Sequence, residues 1–149
     1  MINNLNLLFN TENDCKEKTL PCKIDKNRVD KIYKPDSGIK NLDIKKKLFP
    51  NHKNNEQPML CDCAIIYDKT KLVLVEIKCG TVTNSLLKDV VIKLENTSKL
   101  VNHQSMNISK YILLYKKFDN TQIKKKLATL KICGQPLISK KFEKQAIAI

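Results

Sequence analysis

The chain has no tryptophan, two histidines, three glycines among 149 residues, and a single arginine, Arg28. So little glycine, with five prolines and no visible repeat, excludes collagen-like and low-complexity chains. A lone arginine leaves almost no planar forks for reading bases or clamping carboxylates, so the positive charge is a field of lysine point charges. No apolar run approaches the ~20 residues that cross a bilayer. The segment MINNLNLLFN lacks the basic and long apolar parts of a secretory leader. We therefore expect a cytoplasmic protein without membrane association. The six cysteines form no paired CxxC knuckles, and a reducing compartment predicts free thiols rather than a disulfide framework. Acid is also in short supply. Against 28 Lys and Arg stand 15 Asp and Glu, a net charge of +13. Up to residue 80 the ratio is 15 basic to 11 acidic, and beyond it 13 to 4, so the excess lies in the second half. A polyanion suits such a field, nucleic acid first, although solvated lysine faces give the same composition. The length fits one domain over residues 1–149, and a 42% hydrophobic content is enough for it to fold.

Along the chain, Ile2, Leu5, Leu8 and Phe9 share one face of a short helix. Pro21 to Pro58 is rich in Lys, Asn and Asp and reads mostly as loop, with room for a strand or a short helix. After Pro58 the runs MLCDCAIIY and KLVLVEIKC, joined by a polar turn from Asp68 to Lys71, predict a β-hairpin whose second strand ends at Gly80. Leu86, Leu87, Val90, Val91, Leu94 and Val101 then recur at helical spacing. KYILLYK predicts a strand, Asn120 to Lys126 the start of another helix, and the stretch around Gly134 a hairpin or edge strand. This order fits an α/β fold, a central mixed sheet flanked by helices.

The chemistry concentrates in the hairpin. Glu76 and Lys78, two apart on a strand, project from one face, and two ionisable groups in an apolar strand are costly to bury without a purpose. Asp62 lies in an equally apolar run. It meets Glu76 or Lys78 on the same face only if the hairpin loop has an odd length or one strand carries a bulge. Two converging carboxylates with an ammonium beside them suit Mg²⁺, which takes one or two protein carboxylates plus water and phosphate oxygens. Such a site activates water for attack on phosphorus, with Lys78 stabilising the transition state or assisting the water. An ordinary Glu76–Lys78 or Asp62–Lys78 pair on the solvent face is the competing reading.

Asp62 at the head of one strand, a short connection, then Glu76-Ile77-Lys78 on the next strand and a helix after Gly80 resemble the core of the PD-(D/E)xK nucleases, the restriction-endonuclease-like fold. The resemblance spans about Pro58 to Lys117, within a core of about residues 58–138. It implies that Asp62 and Glu76 bind the divalent metal (Mg²⁺ or Mn²⁺), that the Ile77 carbonyl adds a ligand, and that Lys78 assists the attacking water. Cys61 replaces the usual proline before the Asp. The acid expected on the first helix has only Glu12 and Glu17 as candidates, and Lys88 and Lys93 stand where the RecB-like branch carries Gln and Tyr. That branch is therefore not assigned.

Lys88, Lys93, Lys99, Lys110, Lys116 and Lys117 have the placement to track phosphates without reading sequence, or to solvate their elements. Lys124 to Lys126 and Lys140-Lys141 carry the same two readings. Cys61 and Cys63 are expected on the face opposite Asp62, and Cys79 opposite Glu76, where they pack as small hydrophobes. A thiolate metal site would need Cys15 or Cys22 as well. His52 and His103 receive no role. The expectation is a metal-dependent nuclease that cuts DNA ahead of RNA, either structure-selective like a junction resolvase or of restriction or defence type. A homodimer would match the two-fold symmetry of duplex DNA. The alternatives are a non-catalytic nucleic-acid-binding or assembly subunit and, behind it, a cysteine-held metal protein.

Overall fold

A computed structural model describes residues 1–13, 15, 27–53 and 55–142. In chain order its elements are α1 (Ile2–Leu8), β1 (Asn10–Glu12), β2 (Val29–Lys34), a single 3-10 turn (Pro35–Ser37) and α2 (Leu42–Leu48). There follow β3 (Cys63–Tyr67), β4 (Lys71–Val82), α3 (Asn84–His103), β5 (Ile108–Phe118), α4 (Thr121–Thr129), β6 (Lys131–Ile132) and β7 (Gln135–Lys141). The strands form one seven-stranded mixed sheet in the order β1-β2-β3-β4-β5-β7-β6. From β1 to β4 the neighbours are antiparallel. The pairs β4–β5 and β5–β7 are parallel, joined through α3 and α4. The protein is thus an α/β fold with a mixed sheet flanked by helices, and among the described residues no helix is long and apolar enough to cross a membrane.

The central strand β4 explains why KLVLVEI is apolar at nearly every position: it is covered on both faces. Leu72 and Leu74 join a cluster with Leu5, Leu8, Leu87, Val90, Leu94, Ile123 and Leu127, so α1, α3 and α4 pack on that face. Ile44 and Leu48 of α2 pack against the same cluster. Val73, Val75 and Ile77 point the other way, into a second cluster with Ile32, Cys63, Ile65, Ile112 and Leu114. Three helices start on side-chain caps. Asn41 accepts from the N–H groups of Asp43 and Ile44, Thr83 from Leu86 N–H, and Asn120 from Ile123 N–H, which satisfies donors the helix itself leaves open.

Several expectations need correction. The segment read mainly as loop contains β2 and α2, whose partners lie far along the chain. Gly80 does not end the hairpin strand: β4 runs on to Val82, and Gly80 sits where the β4–β5 register shifts between Lys78 and Thr81. The hairpin, one of the two forms expected around Gly134, does form, turning through Cys133 and Gly134 with φ of 47° and 81°. Positive φ at both positions is what a tight two-residue turn requires. The free-thiol expectation fails at two positions, because Cys15 and Cys63 form a disulfide that bridges 48 residues. Cys61 also departs from its expected face, lying in the cluster with α3 while Cys63 and Cys79 lie in the other, because it precedes the strand and does not follow its alternation. Arg28 is used structurally: its guanidinium forms a forked ion pair with Asp68 in the β3–β4 turn.

Candidate functional site

The β3–β4 loop comprises Asp68, Lys69 and Thr70, an odd number, with φ of 48° and 64° at its first two residues. The register it sets pairs Tyr67 with Lys71 at the turn and Cys63 with Val75 at the far end. Asp62 stands one residue before β3, so the same register continued places it opposite Glu76. The odd-loop condition for a shared face is therefore met, and the contacts follow from it. Glu76 Oε2 accepts from the Asp62 backbone N–H at 3.2 Å. Asp62 Oδ2 accepts from the Ile77 backbone N–H at 2.6 Å.

Glu76 is fully buried and Asp62 nearly so, at 0% and 4% exposure, which removes the solvent-face pair as a reading. The Glu76–Lys78 pair exists, at 3.0 Å between Oε1 and Nζ, but in the interior. A second ammonium, Lys93 of α3, donates to the same oxygen at 2.7 Å. Burial pushes the Glu76 carboxyl up to about 7, helped by repulsion from Asp62 and opposed by Lys93 and Lys78. Lys93 was expected on a phosphate-tracking face. It stands in the centre instead, and the sequence did carry a sign of it: Val90, Lys93, Leu94 and Thr97 follow the i, i+3, i+4, i+7 spacing of a helix's buried stripe.

Helix α3 also fixes the approach to Asp62. Asn96 Nδ2 donates to the Met59 carbonyl at 3.0 Å, and Thr97 Oγ1 accepts from the Cys61 N–H at 2.9 Å. Asp36 N–H reaches the Cys61 carbonyl at 3.2 Å from the other side. These positioning residues have no motif that would single them out beforehand. Burial pushes the Cys61 thiol up, which keeps it protonated beside the two carboxylates.

The other candidates lie apart. Lys88, Lys116 and Lys117 are exposed, as phosphate contacts require. Lys99 donates to the Leu48 carbonyl at 2.7 Å and lies over the Phe49 ring, so it joins α3 to the end of α2. Lys110 lies over the Tyr67 ring. Helix α1 contains no acid. Glu12 is on β1 opposite Ile32, hence on the face away from Glu76, and Glu17 and Cys22 fall outside the described residues. His52 packs edge-on against Phe49, and His103 ends α3.

Asp62 and Glu76 offer hard oxygen donors. The Ile77 N–H points toward Asp62, and in an antiparallel pairing the carbonyl of the same residue points the same way. Among the described residues no three His, Cys, Asp or Glu side chains gather, so a cation here would have two carboxylates, a backbone oxygen and otherwise water. That donor set suits Mg²⁺ or Mn²⁺, and the repulsion between Asp62 and Glu76 is what a divalent cation would relieve. Compared with protein-family models, with curated proteins and with solved structures, the chain matches none of them.

Proposed function

We propose that the protein is a metal-dependent nuclease with a centre of the PD-(D/E)xK type, acting on DNA ahead of RNA. The observation that carries this reading is the placement of Asp62 opposite Glu76, with Lys78 on the same face, at the end of a strand that leads into α3. The order β3-β4-α3-β5 supports it, being the strand-strand-helix-strand core that the resemblance requires. When bound, Mg²⁺ or Mn²⁺ supplies Lewis-acid polarisation of the phosphate and a more acidic water. Asp62, Glu76 and the Ile77 carbonyl would hold that cation. Lys78, with its side chain 14% exposed, presents an ammonium from the interior to the reacting phosphate. There it offsets charge that develops in the transition state. Lys93 offsets the charge of Glu76 and holds the carboxylate on the α3 side. A homodimer would let two such centres address both strands of a duplex.

A second reading rests on that same lysine. Two ammonium groups against two carboxylates already balance the site's charge, as a non-catalytic nucleic-acid-binding or assembly subunit would require. The test that separates the two is cleavage of supercoiled plasmid, linear duplex, single strands and a branched junction with Mg²⁺, Mn²⁺ or EDTA. The nuclease cuts only with metal and loses cutting in Lys78→Ala and Asp62→Asn. Binding without cleavage under every condition would establish the other reading.

A further inference from the structure

A cleft of about 440 Å³ opens at the carboxyl ends of β5 and β7, lined by Tyr115, Lys117, Phe118, Thr121, Lys124 and Lys141. Its floor is aromatic: the Tyr115 and Phe118 rings stack with centroids 4.0 Å apart and planes 20° from parallel. Its rim is cationic, with Lys117 from β5, Lys124 from α4 and Lys141 from β7. All three are exposed, and the side chain of none makes an ion pair or hydrogen bond with another described residue. Three ammonium groups lining one apolar platform make a locally positive field, so the arrangement favours a ligand that brings both negative charge and a flat apolar face. The register adds the location: Tyr115 is the β5 partner of Lys78, and Lys141 is the β7 partner of Tyr115. The cleft therefore begins one strand away from the candidate active site, on the same face of the sheet.

We propose that this cleft binds an unpaired nucleotide, its base extending the Tyr115–Phe118 stack and its phosphates lying against Lys117, Lys124 and Lys141. The inference rests on the nuclease reading for its consequence, which is that the preferred substrate has a single-stranded segment next to the scissile phosphate. A base inside an intact duplex has no free face to offer the platform, whereas stacking on aromatic side chains is the usual way of holding single strands.

The absence of tryptophan from the chain provides the readout. Phe118→Trp keeps the ring and introduces the sole indole. Its fluorescence is to be followed in EDTA while a single-stranded oligothymidylate of about a dozen nucleotides, or a blunt duplex of equal length, is added. Binding of a fluorescein-labelled copy to wild type, Phe118→Leu and the double variant Lys124→Ala/Lys141→Ala is measured by anisotropy. Phe118→Leu retains apolar bulk, and circular dichroism and the melting temperature check its fold. The expected results are quenching by the single strand and not by the duplex, and a loss of about five- to a hundredfold in single-strand affinity for Phe118→Leu. The double lysine variant should bind more weakly with a shallower salt dependence. Unquenched fluorescence, or equal binding by wild type and a folded Phe118→Leu, overturns the proposal. Because these measurements need no catalysis, cleavage of duplex by a protein that shows no quenching would leave the nuclease reading standing and remove the cleft. Quenching without any cleavage would do the reverse.

Discussion

Asp62 and Glu76 are bound to each other through the backbone: the Glu76 carboxylate accepts from Asp62 N–H, and the Asp62 carboxylate accepts from the N–H of Ile77, the residue after Glu76. Each acid fixes the other's main chain, so the pair is positioned before any ligand arrives. Glu76→Ala leaves the Asp62 N–H unsatisfied in the interior and two lysines without their carboxylate. We expect it to lose about 2–4 kcal/mol of stability and, on the nuclease reading proposed above, all cleavage. Glu76→Gln retains an acceptor, so urea denaturation should show it to be the milder substitution while activity assays show it equally inactive.

The pH dependence of stability has a definite sign. Burial and Asp62 raise the Glu76 carboxyl from 4.5 to about 7 in the folded state. Between those values the folded protein retains a proton that the unfolded chain has lost, so this group's contribution is full below the lower value and disappears as pH rises through the upper one. Thermal melts from pH 5 to pH 8 should show a decline through neutrality that is absent from Glu76→Gln. An identical decline in the variant would assign it to other groups. Lys93→Met removes the largest cause opposing the rise, so it should move the wild-type decline to higher pH.

Register makes the turn part of the site. One residue inserted between Lys69 and Thr70 reverses the alternation of β3 relative to β4 and separates Asp62 from Glu76, whereas two inserted residues restore the shared face. Single insertion should therefore abolish cleavage, and double insertion should recover a measurable fraction in a protein of normal circular dichroism. Equal loss in both would show that the Arg28–Asp68 anchoring of the turn matters more than the number of residues in it.

Much of this centre was legible from residue spacing. Glu76 and Lys78 share a face because strands alternate, and the apolar stripe of α3 announced the helix beneath which they lie. What escaped depends on partners distant in sequence. β2 is polar by composition and becomes a strand because β3 pairs with it; Cys15 finds Cys63 across 48 residues; and β4 continues past Gly80 because β5 supports it. Lys93 occupied the inward-facing stripe of its helix from the outset, but the carboxylate that its half-buried ammonium meets lies 17 residues earlier.

The disulfide should contribute to stability without contributing to chemistry. Closing a loop of 48 residues limits the unfolded ensemble, and Cys15→Ser or full reduction should cost about 2–4 kcal/mol in urea denaturation. Cys63 faces the layer opposite Glu76, so cleavage by the reduced but folded protein should be nearly unchanged. A large loss of activity at unchanged fold would mean that the bond also holds Asp62 in place.

The exposed lysines divide by what they touch. On the nuclease reading proposed above, Lys88→Ala and Lys116→Ala should each weaken DNA binding across sequences and reduce the salt slope by about one. Lys99→Ala should instead lower the melting temperature, because its ammonium is engaged with the Leu48 carbonyl. Anisotropy titrations at several salt concentrations, with melting curves alongside, distinguish the two classes.

Helix α3 grips its surroundings at successive points: Lys93 on Glu76, Asn96 on Met59, Thr97 on Cys61 and Lys99 on Leu48. A rod clamped in this way is a lever. A load on its exposed side, where Lys88 stands, would bear together on Glu76, the strand end carrying Asp62 and the close of α2. Mechanical stiffness would thus let a contact made at one end of α3 be felt at Glu76, with no moving loop between them.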